Sequence, residues 1–213
     1  MTTVEKQYRW TVAGTGFWKM WRGFLPFLVV SLVNAVVQAS LLLLPVFWLA
    51  LGISAAVLLV AFALMAHIAI NSVSRRSGIG DLQGADLGRF ALWVVGWTVV
   101  VSVGLAFYFW PGVLILAITP FIPVAAAAGL PNPLGANFSA IGARPFRYVL
   151  TTLLSLVVIL VVWLISGLNA FFVRGWVASF TSWLILGLVA AWLLTAWASL
   201  FRSTPAGVVA ASD

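Results

Sequence analysis

Residues 16–30 read GFWKMWRGFLPFLVV, and they join a basic, aromatic segment to the first long apolar run of the chain. Lys19 and Arg22 would each cost about 2.5–3.5 kcal/mol at the centre of a bilayer. Tryptophan instead favours the headgroup level, which suits Trp18 and Trp21. We therefore expect this elbow to lie at a membrane surface and the residues after it to cross the membrane.

Two further junctions of this kind follow, GRFALW at residues 88–93 and GARPFRY at residues 142–148, each ahead of another apolar run. The chain thus contains three elbows, and each elbow is followed by enough apolar sequence for two crossings. This pattern predicts three helical hairpins of the same orientation, which pseudo-symmetry about the membrane normal would relate.

The composition is that of an integral membrane protein, with 64% hydrophobic and 7% charged residues, against about 25% charged in soluble domains. Mean hydropathy is +1.17. There are no cysteines, which excludes a disulfide framework or a thiolate site. The net charge of +7 comes from residues that flank apolar runs. We therefore expect membrane lipids, and not nucleic acid, as the partner of these charges.

A membrane span needs about 20 apolar residues, and six such runs fit in this chain. The predicted fold is an all-α polytopic bundle, with residues 1–23 as a cytosolic tail and interfacial elbow, 24–201 as the six-span domain and 202–213 as a second cytosolic tail. The predicted spans are residues 24–44, 47–70, 90–110, a fourth that follows the turn at 110–112 and ends near residue 128, 148–168 and 176–201.

The fourth predicted span is the least regular, because Pro120 and Pro123 remove two backbone donors and should bend or partly unwind it. In lipid, such a break must be covered by protein or by a wet cavity. We expect the tripeptide Trp-Pro-Gly at residues 110–112 to form the turn before this span. Asn137 is predicted to cap a short helix that leads into the third elbow.

Orientation follows from the positive-inside rule. With six spans, ten of the eleven basic residues fall on one side, and only Arg174 falls on the other. This distribution predicts cytosolic N- and C-termini, and we expect the membrane to be a plasma membrane. The ten are Lys6, Arg9, Lys19, Arg22, Arg75, Arg76, Arg89, Arg144, Arg147 and Arg202.

Polar residues within the spans are few, and three of them share one helical face. Ser31, Asn34 and Gln38 lie at positions i, i+3 and i+7 of the first span. They form either hydrogen bonds between helices or a polar groove that meets a lipid headgroup or another subunit. The sequence leaves both interpretations open.

The sixth span carries a stripe of small residues at four-residue spacing. Small side chains let helix backbones approach closely, so this stripe is the candidate packing face, either within the chain or against a partner. The stripe consists of Gly187, Ala191, Thr195 and Ser199.

No acidic residue lies within a span, and His67 is the only histidine. We therefore expect no enzyme activity, no metal and no cofactor, and we assign His67 to helix pairing or to the interface. A lipid-phosphate site that combines His67 with residues of the 71–88 loop is the lesser alternative; those residues are Arg75, Arg76, Asp81 and Asp86. The basic elbow residues Lys19, Arg22, Arg144 and Arg147 are predicted to contact anionic lipid.

The three elbows resemble the interfacial helix-to-span junctions of six-helix bacterial membrane proteins, such as the membrane domain associated with glycerophosphodiester phosphodiesterases. The Ala-, Val- and Trp-rich, Lys-poor sequence is also similar to small actinobacterial integral membrane proteins. Among these are accessory subunits of Mce-type lipid importers, which sit beside a permease and lack catalytic motifs. This resemblance covers the layout of most of the chain, and it carries over no site residue.

These observations favour a non-catalytic accessory or scaffold subunit of a larger membrane assembly, with other membrane-protein subunits as partners and lipid transport as the process. The alternative is a small permease or lipid-binding protein built around the kinked fourth span and the face of Ser31, Asn34 and Gln38. An intramembrane lipid enzyme is the third hypothesis.

Overall fold

The computed structural model describes residues 20–21, 23–74, 84–107, 109–173 and 175–205, and this part of the chain is overwhelmingly α-helical. Eight α-helices have their bounds within it. They are α1 Phe24–Ser40, α2 Phe47–Ser74, α3 Gly84–Phe107, α4 Phe109–Ile118, α5 Ile122–Ala127, α6 Pro133–Ala143, α7 Pro145–Phe172 and α8 Trp176–Arg202.

Within the described residues, five helical segments are long and apolar enough to cross a membrane, which confirms the all-helical membrane class. Their lengths of 18 to 27 residues correspond to about 27–41 Å at a rise of 1.5 Å per residue, close to or above the thickness of a hydrocarbon core. The segments are Phe24–Leu43, Phe47–Val73, Leu87–Gly104, Pro145–Asn169 and Trp176–Arg202.

The fourth predicted span is not one helix. Helix α4 ends at Ile118 and α5 begins at Ile122, because Pro120 and Pro123 cannot donate the backbone hydrogen bonds that would join the two. Helix α5 then ends in a Schellman arrangement, in which Gly129 has a φ of 81° and Leu130 N–H donates to the carbonyl of Ala125.

The predicted turn at residues 110–112 is wrong, since these residues lie inside α4, which begins at Phe109. Pro111 is tolerated there because backbone N–H groups in the first turn of a helix have no intrahelical acceptor. Gly112 lies against α3, where a Cβ added to Gly104 would be 3.0 Å from the Gly112 Cα. Helices α3 and α4 therefore pack closely against each other.

Helix α8 is the centre of the bundle. Half of its spanning window is buried, against 17–33% for the other four segments. Helix α1 packs along α8, and the two are in tight contact at Gly187, where an added Cβ would lie 2.8 Å from the Ser31 Oγ.

The two ends of the bundle differ. The large buried side chains gather where α1 begins and where α2 and α8 end, and we call this the buried end; they include Phe27, Met65, Phe121, Trp197 and Phe201. The short turns that join α1 to α2 and α7 to α8 lie at what we call the turn end. Leu43, Trp48 and Phe172 there are 76–78% exposed.

Candidate functional site

The break between α4 and α5 lies at the buried end, inside a cluster of aromatic rings. Phe121, the last residue of the break, is fully buried. Its ring centroid lies 5.1 Å from that of Trp197, 5.8 Å from that of Phe201 and 6.2 Å from that of Tyr148. The break is therefore surrounded by α7 and α8, and it does not face the lipid.

Asn137 satisfies the backbone on both sides of the break. Its Nδ2 donates to the carbonyl of Ile118 at 2.9 Å, and its Oδ1 accepts from the N–H of Phe121 at 3.1 Å. Asn137 is fully buried in the middle of α6, so the prediction that it caps a helix is wrong. The cap of α6 is Asn132, whose side chain accepts from the N–H of Gly135.

Two further side chains bond to the end of α4. The hydroxyl of Tyr148 on α7 donates to the carbonyl of Ala117. On α3, the Nε1 of Trp97 donates to the Oγ1 of Thr119 at 2.8 Å, and this hydroxyl in turn donates to the carbonyl of Ile115 at 2.6 Å. Helices α3, α6 and α7 therefore all contribute a polar side chain to the same break.

This arrangement has a clear chemical consequence. Discontinuous membrane helices bind ions and substrates through the carbonyl and N–H groups that the break leaves free. Here the carbonyls of Ala117 and Ile118 and the N–H of Phe121 are bonded to side chains of the same chain. The break is thus a closed structural joint covered by protein, one of the two coverings that lipid permits.

The polar face predicted on α1 lies elsewhere. Ser31, Asn34 and Gln38 are all buried, and Gln38 bonds twice to α2, accepting from the Ser54 Oγ at 2.7 Å and donating to the Ser54 carbonyl at 3.2 Å. The Ser31 Oγ and the Asn34 Oδ1 have no hydrogen-bond partner within the described part of the chain. This face meets α2 and α8, and it does not line the break.

The small-residue stripe of α8 also lies in the interior. Gly187, Ala191 and Thr195 are buried and Ser199 is half-buried, and the Thr195 hydroxyl donates to the carbonyl of Ala191 at 2.7 Å. Gly187 receives the side chain of Ser31 from α1. The structure therefore places at least this part of the stripe against the chain's own first helix.

Of the basic elbow residues, Arg144 and Arg147 are half-buried at the junction of α6 and α7, whereas Lys19 and Arg22 lie outside the described residues. His67 is buried and its Nε2 lies 2.8 Å from the Nδ2 of Asn71. Arg75, Arg76 and Asp81 are likewise outside the described part, as is the side chain of Asp86. Among the residues that are described, no group of three His, Cys, Asp or Glu could hold a metal ion.

Sequence reasoning missed Asn137, Tyr148 and Trp97 as the residues that close the break. A signal was present, because two prolines in an apolar run leave backbone groups that need polar partners. Asn137 and Tyr148 are among the few polar side chains that follow this run. Their pairing with residues 117–121 nevertheless depends on how α6 folds back, and local sequence does not specify this.

Comparison with protein-family models, with curated proteins and with solved structures finds no significant match to this chain.

Proposed function

We propose that this chain is a non-catalytic accessory or scaffold subunit of a larger assembly in a bacterial plasma membrane, with lipid transport as the process it serves. The closed break carries this proposal. A transporter of the discontinuous-helix type would keep the backbone groups of Ala117, Ile118 and Phe121 available for cargo, whereas here Asn137 and Tyr148 occupy them.

The proposal includes a sixth, broken span made of α4 and α5. Three contacts along α3 support it: Gly112 lies against Gly104, Thr119 bonds to Trp97, and Ala126 packs in a buried cluster with Phe90 and Val94. In this arrangement the broken segment runs back along α3, from the turn end to the buried end.

The proposal also places both termini in the cytosol. Arg89 precedes the buried Phe90, Arg144 and Arg147 precede Tyr148, and Arg202 follows Phe201, so these four arginines gather at the buried end. Basic residues near the ends of spans favour the cytosolic side. The buried end is therefore assigned to the cytosolic leaflet.

Lateral surfaces for other subunits are available on α2 and α3. Gly52 and Gly96 are exposed, and a Cβ added to either would have no atom within 4 Å. A glycine inside a helix costs about 0.5–1 kcal/mol relative to alanine, and small residues let a second helix approach closely. A neighbouring subunit that packs on these glycines would compensate for their cost.

Affinity purification of the tagged chain from its native membrane in mild detergent, followed by mass spectrometry, tests this role. We expect a stoichiometric membrane-protein partner that is lost from the Gly52→Leu or the Gly96→Leu variant. Leu43→Ala, a substitution at an exposed side chain outside these surfaces, is the matched control and should retain the partner. Recovery of the wild-type chain with lipids but no stoichiometric protein would refute the proposal.

A second candidate function, a small permease or lipid-binding protein, is favoured by one observation. The buried Oγ of Ser31 and Oδ1 of Asn34 have no hydrogen-bond partner among the described residues, and buried polar atoms are otherwise nearly always bonded. This candidate predicts that Asn34→Leu abolishes transport or lipid retention by reconstituted protein while leaving the fold intact. If the variant transports and retains lipid as the wild type does, this candidate is excluded.

A further inference from the structure

Two buried polar atoms on α1 lack a hydrogen-bond partner among the described residues. They are the Oγ of Ser31 and the Oδ1 of Asn34. Ser31 is fully buried and Asn34 is 4% exposed, so neither atom is hydrated from the surface of the bundle. Since buried polar side-chain atoms are bonded in the large majority of cases, this pair indicates that a further hydrogen-bonding group is bound beside α1.

The two side chains are placed to share one partner. They are three residues apart on a helix, so they lie on the same face with their Cβ atoms about 5–6 Å apart. An oxygen atom about 2.8 Å from each of two polar atoms bridges a separation of about 4.5–5.5 Å. One small molecule therefore suffices for both side chains. Gln38, the third polar residue of this face, is already bonded to Ser54 on α2.

The depth of the pair restricts what this molecule is. The spanning segment Phe24–Leu43 has 20 residues, and Ser31 and Asn34 both lie within about 4 Å of its midpoint along the helix axis. The headgroup layers are then about 15 Å away on either side, and lipid tails offer no hydrogen bond. The molecule is therefore small and polar, and it is not part of the surrounding bilayer.

The surroundings of the pair disfavour a cation and a large ligand. A hard metal cation takes about six oxygen ligands, whereas α1 is a continuous helix from Phe24 to Ser40, so its carbonyls at this level bond within the helix. On the side of α8, a Cβ added to Gly187 would lie 2.8 Å from the Ser31 Oγ. This close approach of the two helices excludes a bulky group there.

We propose that α1 binds one water molecule at mid-depth of the membrane, where it bridges the Ser31 hydroxyl and the Asn34 amide. Water fits because it both donates and accepts, so it donates to the Asn34 Oδ1 and accepts from the Ser31 hydroxyl. Bound waters of this kind satisfy otherwise unbonded buried groups and are costly to remove. The site is a property of the purified chain without partner or cargo, so its failure would leave both proposed functions standing.

The first test is solid-state NMR of the full-length, isotopically labelled chain in bilayers with deuterated acyl chains, with magnetisation transfer from water to the side-chain amides. We expect a water contact at the Asn34 amide in the wild type and its loss in Ser31→Ala. The Gln38 amide is the internal control, because it lies on the same face and is bonded to Ser54. It should show no water contact.

The second test is the thermal melting temperature in mild detergent. Ser31→Ala and Asn34→Leu each leave the water with one partner fewer, and each should lower the melting temperature by about 2–4 °C. The double variant should regain at least half of the summed loss, because an apolar pair needs no water. Ser40→Ala, at an exposed hydroxyl of the same helix, is the matched control and should melt as the wild type does.

The outcomes that overturn the proposal are distinct. A higher melting temperature in either single variant would mean that the two atoms are simply unbonded, and additive losses would mean that they share no partner. Absence of the water contact at Asn34, an equal contact at Gln38, or a contact of Asn34 with lipid protons in place of water would each exclude a bridging water.

Discussion

The buried end and the turn end of this bundle are both built from apolar helices, yet large side chains are buried at the first and exposed at the second. In α2, Met65, Ala66 and Ile70 are buried, whereas Phe47, Trp48 and Leu49 on the same helix are exposed. A bilayer removes the usual reason for this difference, because lipid tails are as apolar as a leucine core. At the buried end, large side chains such as Phe121 and Phe201 are packed between helices, and Asn137 fixes how those helices meet.

The largest effect should come from removing the side chain that closes the break. Asn137→Ala leaves the carbonyl of Ile118 and the N–H of Phe121 unbonded in a buried site, and each such group costs about 1–3 kcal/mol. We expect the free energy of unfolding to fall by about 2–6 kcal/mol, measured by thermal or denaturant unfolding in mild detergent. Ser139→Ala, at an exposed position on the same helix, should behave as the wild type.

If Asn137→Ala unfolds as the wild type does, the break is not held by these hydrogen bonds, and the contrast between the two ends rests on the aromatic cluster alone. Tyr148→Phe distinguishes a break held by hydrogen bonds from one held by the aromatic cluster. It keeps the ring beside Phe121 and removes only the hydroxyl that donates to Ala117.

The sequence predicted those parts of the fold that depend on local chemistry. Apolar run length located the five helices that are able to span within the described part of the chain, and the prolines indicated the interruption at Pro120. The sequence did not predict the partners of that interruption, because the contact between Asn137 and Phe121 joins residues 16 apart through the orientation of α6. Hydropathy also could not predict that Met65 is buried and Trp48 is exposed, because both lie in one apolar run.

The candidate site residues show the same difference between what local sequence predicts and what depends on contacts between distant residues. Periodicity correctly grouped Ser31, Asn34 and Gln38 on one face, because helical spacing alone decides this. Their neighbours are Gly187 on α8 and Ser54 on α2, which belong to distant parts of the sequence. The turn at residues 110–112 was misplaced for a related reason, since Pro and Gly are typical of turns and equally suit the first turn of a helix when another helix lies close by.

The next largest effect should come from the contact between α1 and α8. In Gly187→Ala the new Cβ would lie 2.8 Å from the Ser31 Oγ and 3.3 Å from the Ser31 Cα, so the helices must separate, at a cost of about 1–3 kcal/mol. Gly96→Ala, which adds the same methyl group where nothing lies within 4 Å, should be neutral or stabilising by up to about 1 kcal/mol. Unfolding in mild detergent measures both variants.

A compensating substitution sharpens this comparison. Ser31→Gly removes the Oγ and the Cβ, the two atoms that the new methyl group would meet below 3.0 Å, so the Ser31→Gly/Gly187→Ala double variant should be more stable than Gly187→Ala alone. Additive losses would mean that Ser31 and Gly187 do not set the distance between the two helices.

A smaller effect is expected at a polar contact between α1 and α2, toward the turn end. Gln38 and Ser54 share two hydrogen bonds, and polar contacts between membrane helices contribute about 0.6–1.7 kcal/mol. A double-mutant cycle with Gln38→Leu and Ser54→Ala should return a coupling energy in this range. A coupling energy near zero would show that the α1–α2 hairpin is held by its short turn and by the buried end.

The smallest effect should come from the turn end itself. Leu43 is 78% exposed beside the turn that joins α1 to α2, and a substitution there removes no contact on which the bundle depends, so Leu43→Ala should change the free energy of unfolding by less than about 0.5 kcal/mol. The measurement is made twice, on the purified chain and on the chain in its native membrane, with Phe27→Ala at the buried end as the destabilising reference. A loss of 2 kcal/mol in the membrane but not in detergent would mean that another chain packs on the turn end. The same loss in both would contradict the difference between the two ends, because an exposed leucine would then contribute as much as a buried one.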